Sequence, residues 1–312
     1  MSVKTKHVLA QGPVLRTLAG VAVSAIRQRR NPGAGEIPST PTPEVTEVVK
    51  PLPADLIRDY VRHVGGDPSS YRGVVPPHLF PQWGFPLAAR TLTGLPYPMF
   101  KVLNGGCRVE VKAPLPAGKP LLARARLEDI DDNGRRAVLH RVVITGTEDE
   151  PDAVEAHLFA VVPLGSPDKK NGSSNGAAKK EPVRVPHDAE EIGRWRLRPD
   201  AGLDFAKLTG DFNPVHWIPP YARAFGFRNT ILHGFSTMAR AWEGVQRGIF
   251  SGSTRAIQTF DVQFTKPLVL PAKVGLYVHD GETRRIFVGD APGGPAYLAG
   301  SFEARSINGK VS

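Results

Sequence analysis

The feature that most constrains the fold is an internal repeat. "CRVEVKAPLPAGKPL" (107–121) and "FDVQFTKPLVLPAKV" (260–274) match at Val109/Val262, Pro114/Pro267 and Leu115/Leu268. A mostly apolar stretch with helical character precedes each copy, Pro76 to Leu92 in the first half and Ile231 to Phe250 in the second. Laid together, these stretches place His78 opposite His233 and Phe80 opposite Phe235. Alternating Val109, Val111, then Leu121, Ala123, Ala125 and Leu127 have strand periodicity, with "PLPAG" as a turn. More strands are expected in "RRAVLHRVVITGT", "AVEAHLFAVVP", "TRRIFVGD" and "AYLAGSFEAR". The pattern is one enclosed helix followed by an antiparallel sheet, written twice. A helix apolar on nearly all sides must be wrapped by its sheet, and two such units can pair edge to edge, which removes an exposed edge strand.

Between and before the repeats, composition changes. "RRNPGAGEIPSTPTPEVTEVVKPLP" is rich in Pro, Gly and Thr and is expected to be an extended linker. Gly165 to Pro186 holds almost no large apolar side chain and is expected to be a mobile tether. The predicted organisation is therefore a basic segment and linker (1–50), a first unit (51–165), a tether (166–186) and a second unit (187–312). The segment ahead of Glu36, the first acid, is basic and partly apolar; Val14, Leu15, Leu18, Val21, Ala22, Ala25 and Ile26 approximate one helical face. It is expected to dock on the body as a short amphipathic helix, with a membrane-surface helix or an organellar presequence as the alternative. Arg16 interrupts its apolar run, which is too short to span a bilayer.

A single cysteine, Cys107, excludes an intrachain disulfide, a thiolate-rich zinc site and an iron–sulfur cluster, and suits a reducing, cytoplasmic setting. The net charge of +10 favours anionic partners. Arg223, Arg228, Arg240 and Lys266 are candidates for a basic rim, and no motif supports nucleic-acid binding.

The chemistry-bearing stretch is "TGDFNPVHW" (209–217). The residue before proline avoids the helical region, so Asn213-Pro214 make a turn that brings Asp211 and His216 to one side. Asn213 can hold that turn through the backbone or through the Asp211 carboxylate. A carboxylate beside an imidazole is an acid/base pair, although Asp, Asn and Pro are also ordinary turn formers. "ILHGF" follows, placing Gly234 at the start of a long helix, where free amides and the positive dipole end suit a developing oxyanion. Close packing of helix on sheet would equally favour glycine there.

The ordered set "GDFNPVH", "AFGF", "ILHGF" and "VQFTKPLVLPAKV", from Leu203 to Val278, resembles the MaoC-like dehydratase or (R)-specific enoyl-CoA hydratase family, and the whole chain resembles its double-hotdog members. The resemblance implies an α+β fold of two central helices, each wrapped by an antiparallel sheet, with the sheets joined edge to edge. It implies reversible hydration of trans-2-enoyl thioesters, with Asp211 and His216 catalytic, Asn213 supporting and the Gly234 amide at the oxyanion. Substrate would be an acyl-CoA or acyl carrier protein thioester, with no cofactor and no metal. The first half lacks the motif and has Leu79 where the second has Gly234. It is therefore expected to be non-catalytic and to open space for medium or long acyl chains, with Phe80, Trp83, Phe85, Leu87 and Met99, and Phe235 and Arg228 from the second half, as candidates for substrate contact. A hotdog thioesterase and a non-catalytic acyl-binding subunit are the competing functions. A homodimer is the assembly to test.

Overall fold

Strands take up the alternating stretches. In the computed structural model, which describes residues 3–12, 35–164, 181–281 and 283–305, the first half contributes β1 (Val45–Val49), β2 (Leu103–Val111), β3 (Leu121–Asp132), β4 (Arg136–Gly146) and β5 (Val154–Pro163). The second contributes β6 (Glu190–Leu197), β7 (Ile257–Phe264), β8 (Ala272–His279), β9 (Arg285–Gly289) and β10 (Ala296–Ala304). Burial along β3 and β5 alternates residue by residue, so Leu121, Ala123, Ala125 and Leu127, then Val154, Ala156, Leu158, Ala160 and Val162, all face inward.

All ten strands form one antiparallel sheet in the order β1-β3-β4-β5-β2-β7-β10-β9-β8-β6. Within each half the spatial order is first, third, fourth, fifth, second, so the halves share one topology and meet through their second strands. The repeat offset that equates Val109 with Val262 also equates Arg108 with Asp261, and these two residues pair directly across the β2–β7 seam. A pseudo-twofold axis therefore passes through that pair. The double-hotdog architecture expected from the sequence is the one observed.

Among the described residues there are five α-helices: α1 (Ala54–His63), α2 (Pro81–Arg90), α3 (Ala201–Thr209), α4 (Pro219–Ala224) and α5 (Gly234–Ile249). The central helix of the second half, α5, is buried continuously from Phe235 to Gln246. Its counterpart α2 has ten residues, because Pro86 removes an intrahelical donor and the Pro77–Leu79 turn precedes it as a separate 3-10 piece. Phe80 and Phe235 face each other edge to face at 5.9 Å, packing the two helix starts together.

Several elements escaped the sequence reading. Val45–Val49, assigned to the 1–50 linker by its Pro- and Thr-rich surroundings, pairs with Leu121–Ala125 as the outer strand β1. Its run of β-branched residues outweighs the neighbouring prolines. At the end of the 166–186 tether, Val185 is buried, donates to Gly294 O and accepts from Gly293 N, so that end belongs to the folded body. The expected helix on Val14 to Ile26 lies outside the described residues. Just ahead of it, Val3–Gly12 does dock on the body: Val3 N donates to Asp204 at 3.0 Å, His7 bonds Asp59 at 2.9 Å and Gln11 donates to Leu208 O at 2.9 Å. No helix among the described residues is long and apolar enough to cross a membrane.

Candidate active site

Helix α3 ends where Gly210, at φ 82°, takes the left-handed conformation and donates to Ala206 O at 2.7 Å. The chain then turns tightly at Asp211, where Phe212 N donates to Gly210 O at 3.0 Å, and reaches Asn213, whose side chain caps the Pro214–His216 turn by accepting from Val215 N at 3.2 Å. Asn213 reaches the acid through its backbone instead: its own N–H donates to Asp211 Oδ1 at 3.3 Å. Of the two modes expected of this side chain, the bond to the backbone occurs, and the Asp211 carboxylate is met by the backbone amide rather than by the side chain.

His216 leaves that turn with Nδ1 2.8 Å from the carbonyl of Ile231, which makes Nδ1 the protonated nitrogen and leaves the Nε2 lone pair free. The segment bearing that carbonyl is itself strapped down. Leu232 N donates to Leu268 O and Leu270 N to Thr230 O, both at 2.8 Å, and Asn229 Nδ2 reaches Leu270 O at 3.0 Å. The "PLVLP" part of the motif therefore acts as the brace that holds "ILHGF" against the Asp211 turn. From behind, Gly202 of α3 lets the chain approach: a Cβ there would lie 2.1 Å from the His216 carbonyl oxygen.

A third group joins the pair. The His233 ring stacks on His216 with centroids 3.6 Å apart, and its Nε2 donates to the Asp211 carbonyl at 3.0 Å. One ligand-type atom from each of Asp211, His216 and His233 lies within 4.8 Å of the other two. Both imidazoles are neutral at physiological pH. Burial lowers His216 below the usual histidine value, against the pull of Asp211, and burial beside His216 pushes His233 down to about 3. Each ring already commits one nitrogen to a backbone carbonyl.

Gly234 opens α5, and its amide has no backbone acceptor among the described residues. A Cβ at this position would meet the Phe264 ring at 2.9 Å, so close packing requires the glycine as well. Asp211 and His216 are partly exposed and His233 is buried behind them, so the cluster has a wet side and a dry side.

The residues expected to contact substrate fare differently. Phe80, Trp83 and Phe235 are buried in the core. Trp83 Nε1 donates to Thr145 at 3.0 Å, and Phe235 sits among Phe80, Phe85 and Phe264, with Phe85 closest at 4.5 Å. Leu87 is fully buried, whereas Phe85 and Phe264 are only half-buried and border Phe235. Arg228 is exposed, as are Arg223 and Lys266. Arg240, expected on the same rim, is buried, because it lies two helical turns past His233 on the inward side of α5. Sequence reasoning used His233 only as a repeat mate; the sign of its role was its place directly before Gly234.

Known proteins match parts of this chain in sequence and most of it in fold. The MaoC like domain family matches residues 178–290. Enoyl-CoA hydratase 2 of Arabidopsis thaliana is 27% identical over 183 residues, covering 55% of this chain and 58% of that protein. The 3-hydroxyacyl-thioester dehydratase X of Mycobacterium tuberculosis is 34% identical over 110 residues, 35% of this chain and 38% of its own. The chain thus spans 58% and 38% of the length of these two relatives. Among solved structures, HtdX of Mycobacterium tuberculosis superposes with a TM-score of 0.66 at 22% identity, over 84% of this chain and 100% of that one. A further protein of that organism, described as a double hotdog, covers 86% of this chain and 97% of its own at a TM-score of 0.52 and 14% identity. The chain has the double-hotdog fold, and residues 178–290, in its second half, match the MaoC like domain.

Proposed function

We propose that the chain catalyses the reversible hydration of trans-2-enoyl thioesters to (R)-3-hydroxyacyl thioesters, in fatty acid metabolism, at a single site built from Asp211, His216 and Gly234. One observation carries the reading. A neutral His216, oriented by the Ile231 carbonyl, presents a free Nε2 beside the Asp211 carboxylate and next to the unpaired amide of a helix N-terminus. In the hydration direction a water lies between Nε2 and the carboxylate. Its oxygen bonds C3 of the enoyl group while the proton it gives up is taken by this pair, and C2 receives a proton from the same pair. Negative charge gathers on the thioester oxygen as C3 is attacked, and the Gly234 amide, at the positive end of α5, stabilises it there. Asn213 and His233 position the pair: Asn213 shapes the turn, and His233 holds the Asp211 backbone and the His216 ring face.

The second half, 187–312, is the catalytic unit in this proposal, and the first half, 51–165, closes the sheet and the core. The aromatic edge formed by Phe85 and Phe264 is the natural lead-in for an acyl chain, with Phe80, Trp83 and Phe235 as the packing behind it. The thioester would arrive on coenzyme A or on acyl carrier protein, both anionic and matched to the positive net charge. The names of the relatives, an enoyl-CoA hydratase and a 3-hydroxyacyl-thioester dehydratase, support the same chemistry.

A hydratase assay on crotonyl-CoA and longer enoyl-CoA substrates tests this. Turnover that disappears in Asp211→Asn and His216→Ala supports it, and turnover unchanged in both variants removes the assigned site. Release of free thiol from an acyl-CoA, with no hydration, would point instead to thioester hydrolysis.

A further inference from the structure

Away from the Asp211 turn, a cavity of about 240 Å³ is lined by Arg62, His63, Arg196, Leu197, Arg198, Ala201 and Arg240. Its wall is assembled from the end of α1, the end of β6, the start of α3 and the inward side of α5. Four of these seven residues are arginines, and no acid lines it. The nearby carboxylates are already committed: Asp200 and Asp204 both pair with Arg198, at 2.9 and 2.7 Å, and Asp59 lies 3.9 Å from Arg62. Arg196 has no carboxylate partner among the described residues.

Arg240 is the unusual member. It is buried, its Nε has no hydrogen-bond partner, and among the described residues its side-chain hydrogen bond is to the imidazole of His63 at 3.3 Å. Burial together with Arg240 keeps His63 well below the usual histidine value, so this contact supplies a neutral acceptor and no counter-charge. A buried guanidinium without an anion is a costly arrangement. The start of α3 adds to it. That nine-residue helix begins at Ala201 on the cavity wall without a side-chain cap from Asp200; the Ala201 amide donates to Arg198 O at 3.2 Å, so the helix brings the positive end of its dipole to this wall rather than that N–H.

We propose that this cavity binds a small oxyanion of the phosphate class, held by Arg240 and Arg196 at the N-terminus of α3. Guanidinium groups suit such a ligand because they donate two parallel N–H bonds to neighbouring oxygens. The volume holds a tetrahedral oxyanion with several waters, each taking roughly 30 Å³. The cavity is set apart from the Asp211 turn by Phe205, which packs against His63 at 6.2 Å and His233 at 4.9 Å, and its test needs no thioester turnover.

The test measures thermal melts and calorimetric binding of the full chain with inorganic phosphate, against sodium chloride at equal ionic strength. A saturable rise in Tm specific to phosphate is expected. Arg240→Met should abolish that rise while melting at or above the wild-type temperature without phosphate, because it removes an uncompensated buried charge. Exposed Arg196→Gln, which leaves the core intact, should weaken phosphate binding about tenfold. Coenzyme A forms a second arm. If it competes with phosphate and loses that competition in Arg240→Met, the oxyanion is a phosphate of the carrier; if it does not compete, the ligand is the free ion. Equal effects of phosphate and chloride on the wild type, or wild-type phosphate affinity in Arg196→Gln, would overturn the proposal.

Discussion

His78 and His233 occupy matching places before the central helices of the two halves, and their surroundings could hardly differ more. His233 stacks on His216 and holds the Asp211 carbonyl, at a cluster whose carboxylate reaches solvent. His78 is wholly buried: Nε2 meets Glu243 at 3.0 Å, Tyr71 adds a contact at 3.3 Å, and Tyr60 bonds both its Nδ1 and its carbonyl. Where the second half builds a turn with an acid, the first half has put two tyrosines, and α5 of the second half supplies Glu243 to close the gap. The same backbone position thus serves the proposed reactive cluster in one half and a cross-half polar core in the other. A duplicated architecture can keep its sheet topology while only one copy keeps access for a ligand.

The comparison can be broken first at the reactive cluster. His216→Gln or Asp211→Asn should lower kcat for enoyl-thioester hydration by about 10²- to 10⁴-fold, read as initial rates at saturating substrate, with little change in Tm. On the other side, Glu243→Ala removes one partner of a buried pair and should reduce unfolding free energy by about 3–5 kcal/mol in urea melts. Its kcat per folded molecule should stay near wild type, because Glu243 touches His78 and not the Asp211 turn.

Smaller effects sharpen the picture. Gly234→Ala forces a Cβ against the Phe264 ring and should cost about 1–3 kcal/mol; Phe264→Leu in the same chain should recover part of that stability if the ring is the obstacle. The pH dependence comes last. His233 is buried neutral, down to about 3, so the unfolded chain takes up a proton first as pH falls. Stability present above about pH 6.5 should therefore decline towards pH 3, by no more than about 1.4 kcal/mol per pH unit from this residue, and His233→Gln should flatten the decline. With His216 also lowered, hydration should persist below the usual histidine pKa before it falls.

Much of this was legible in the sequence. The repeat alone equated residues that the structure sets across a twofold axis, since matching Val109 with Val262 forces Arg108 onto Asp261. The Asp211 turn was legible because Asn213-Pro214 allows few backbone paths. The "PLVLP" stretch was visible as repeat, but not as the brace under Leu232, because backbone bonds between distant segments leave no pattern in side chains. Val45–Val49 was hidden by the prolines around it, and the inward turn of Arg240 by its charge, which ordinarily marks a surface residue. The separation of Phe80, Trp83 and Phe235 into core packing was not legible either: a buried aromatic and a tunnel-lining aromatic look alike until their neighbours are known.

The central claim is that one half carries the chemistry, and a paired substitution tests it most directly. His216→Gln and His78→Gln are compared for kcat on a trans-2-enoyl-CoA, each corrected for the folded fraction by circular dichroism. The account predicts that His216→Gln loses about 10²-fold or more, whereas His78→Gln melts earlier yet keeps the wild-type kcat. Equal losses in the two variants, or a loss confined to His78→Gln, would contradict it.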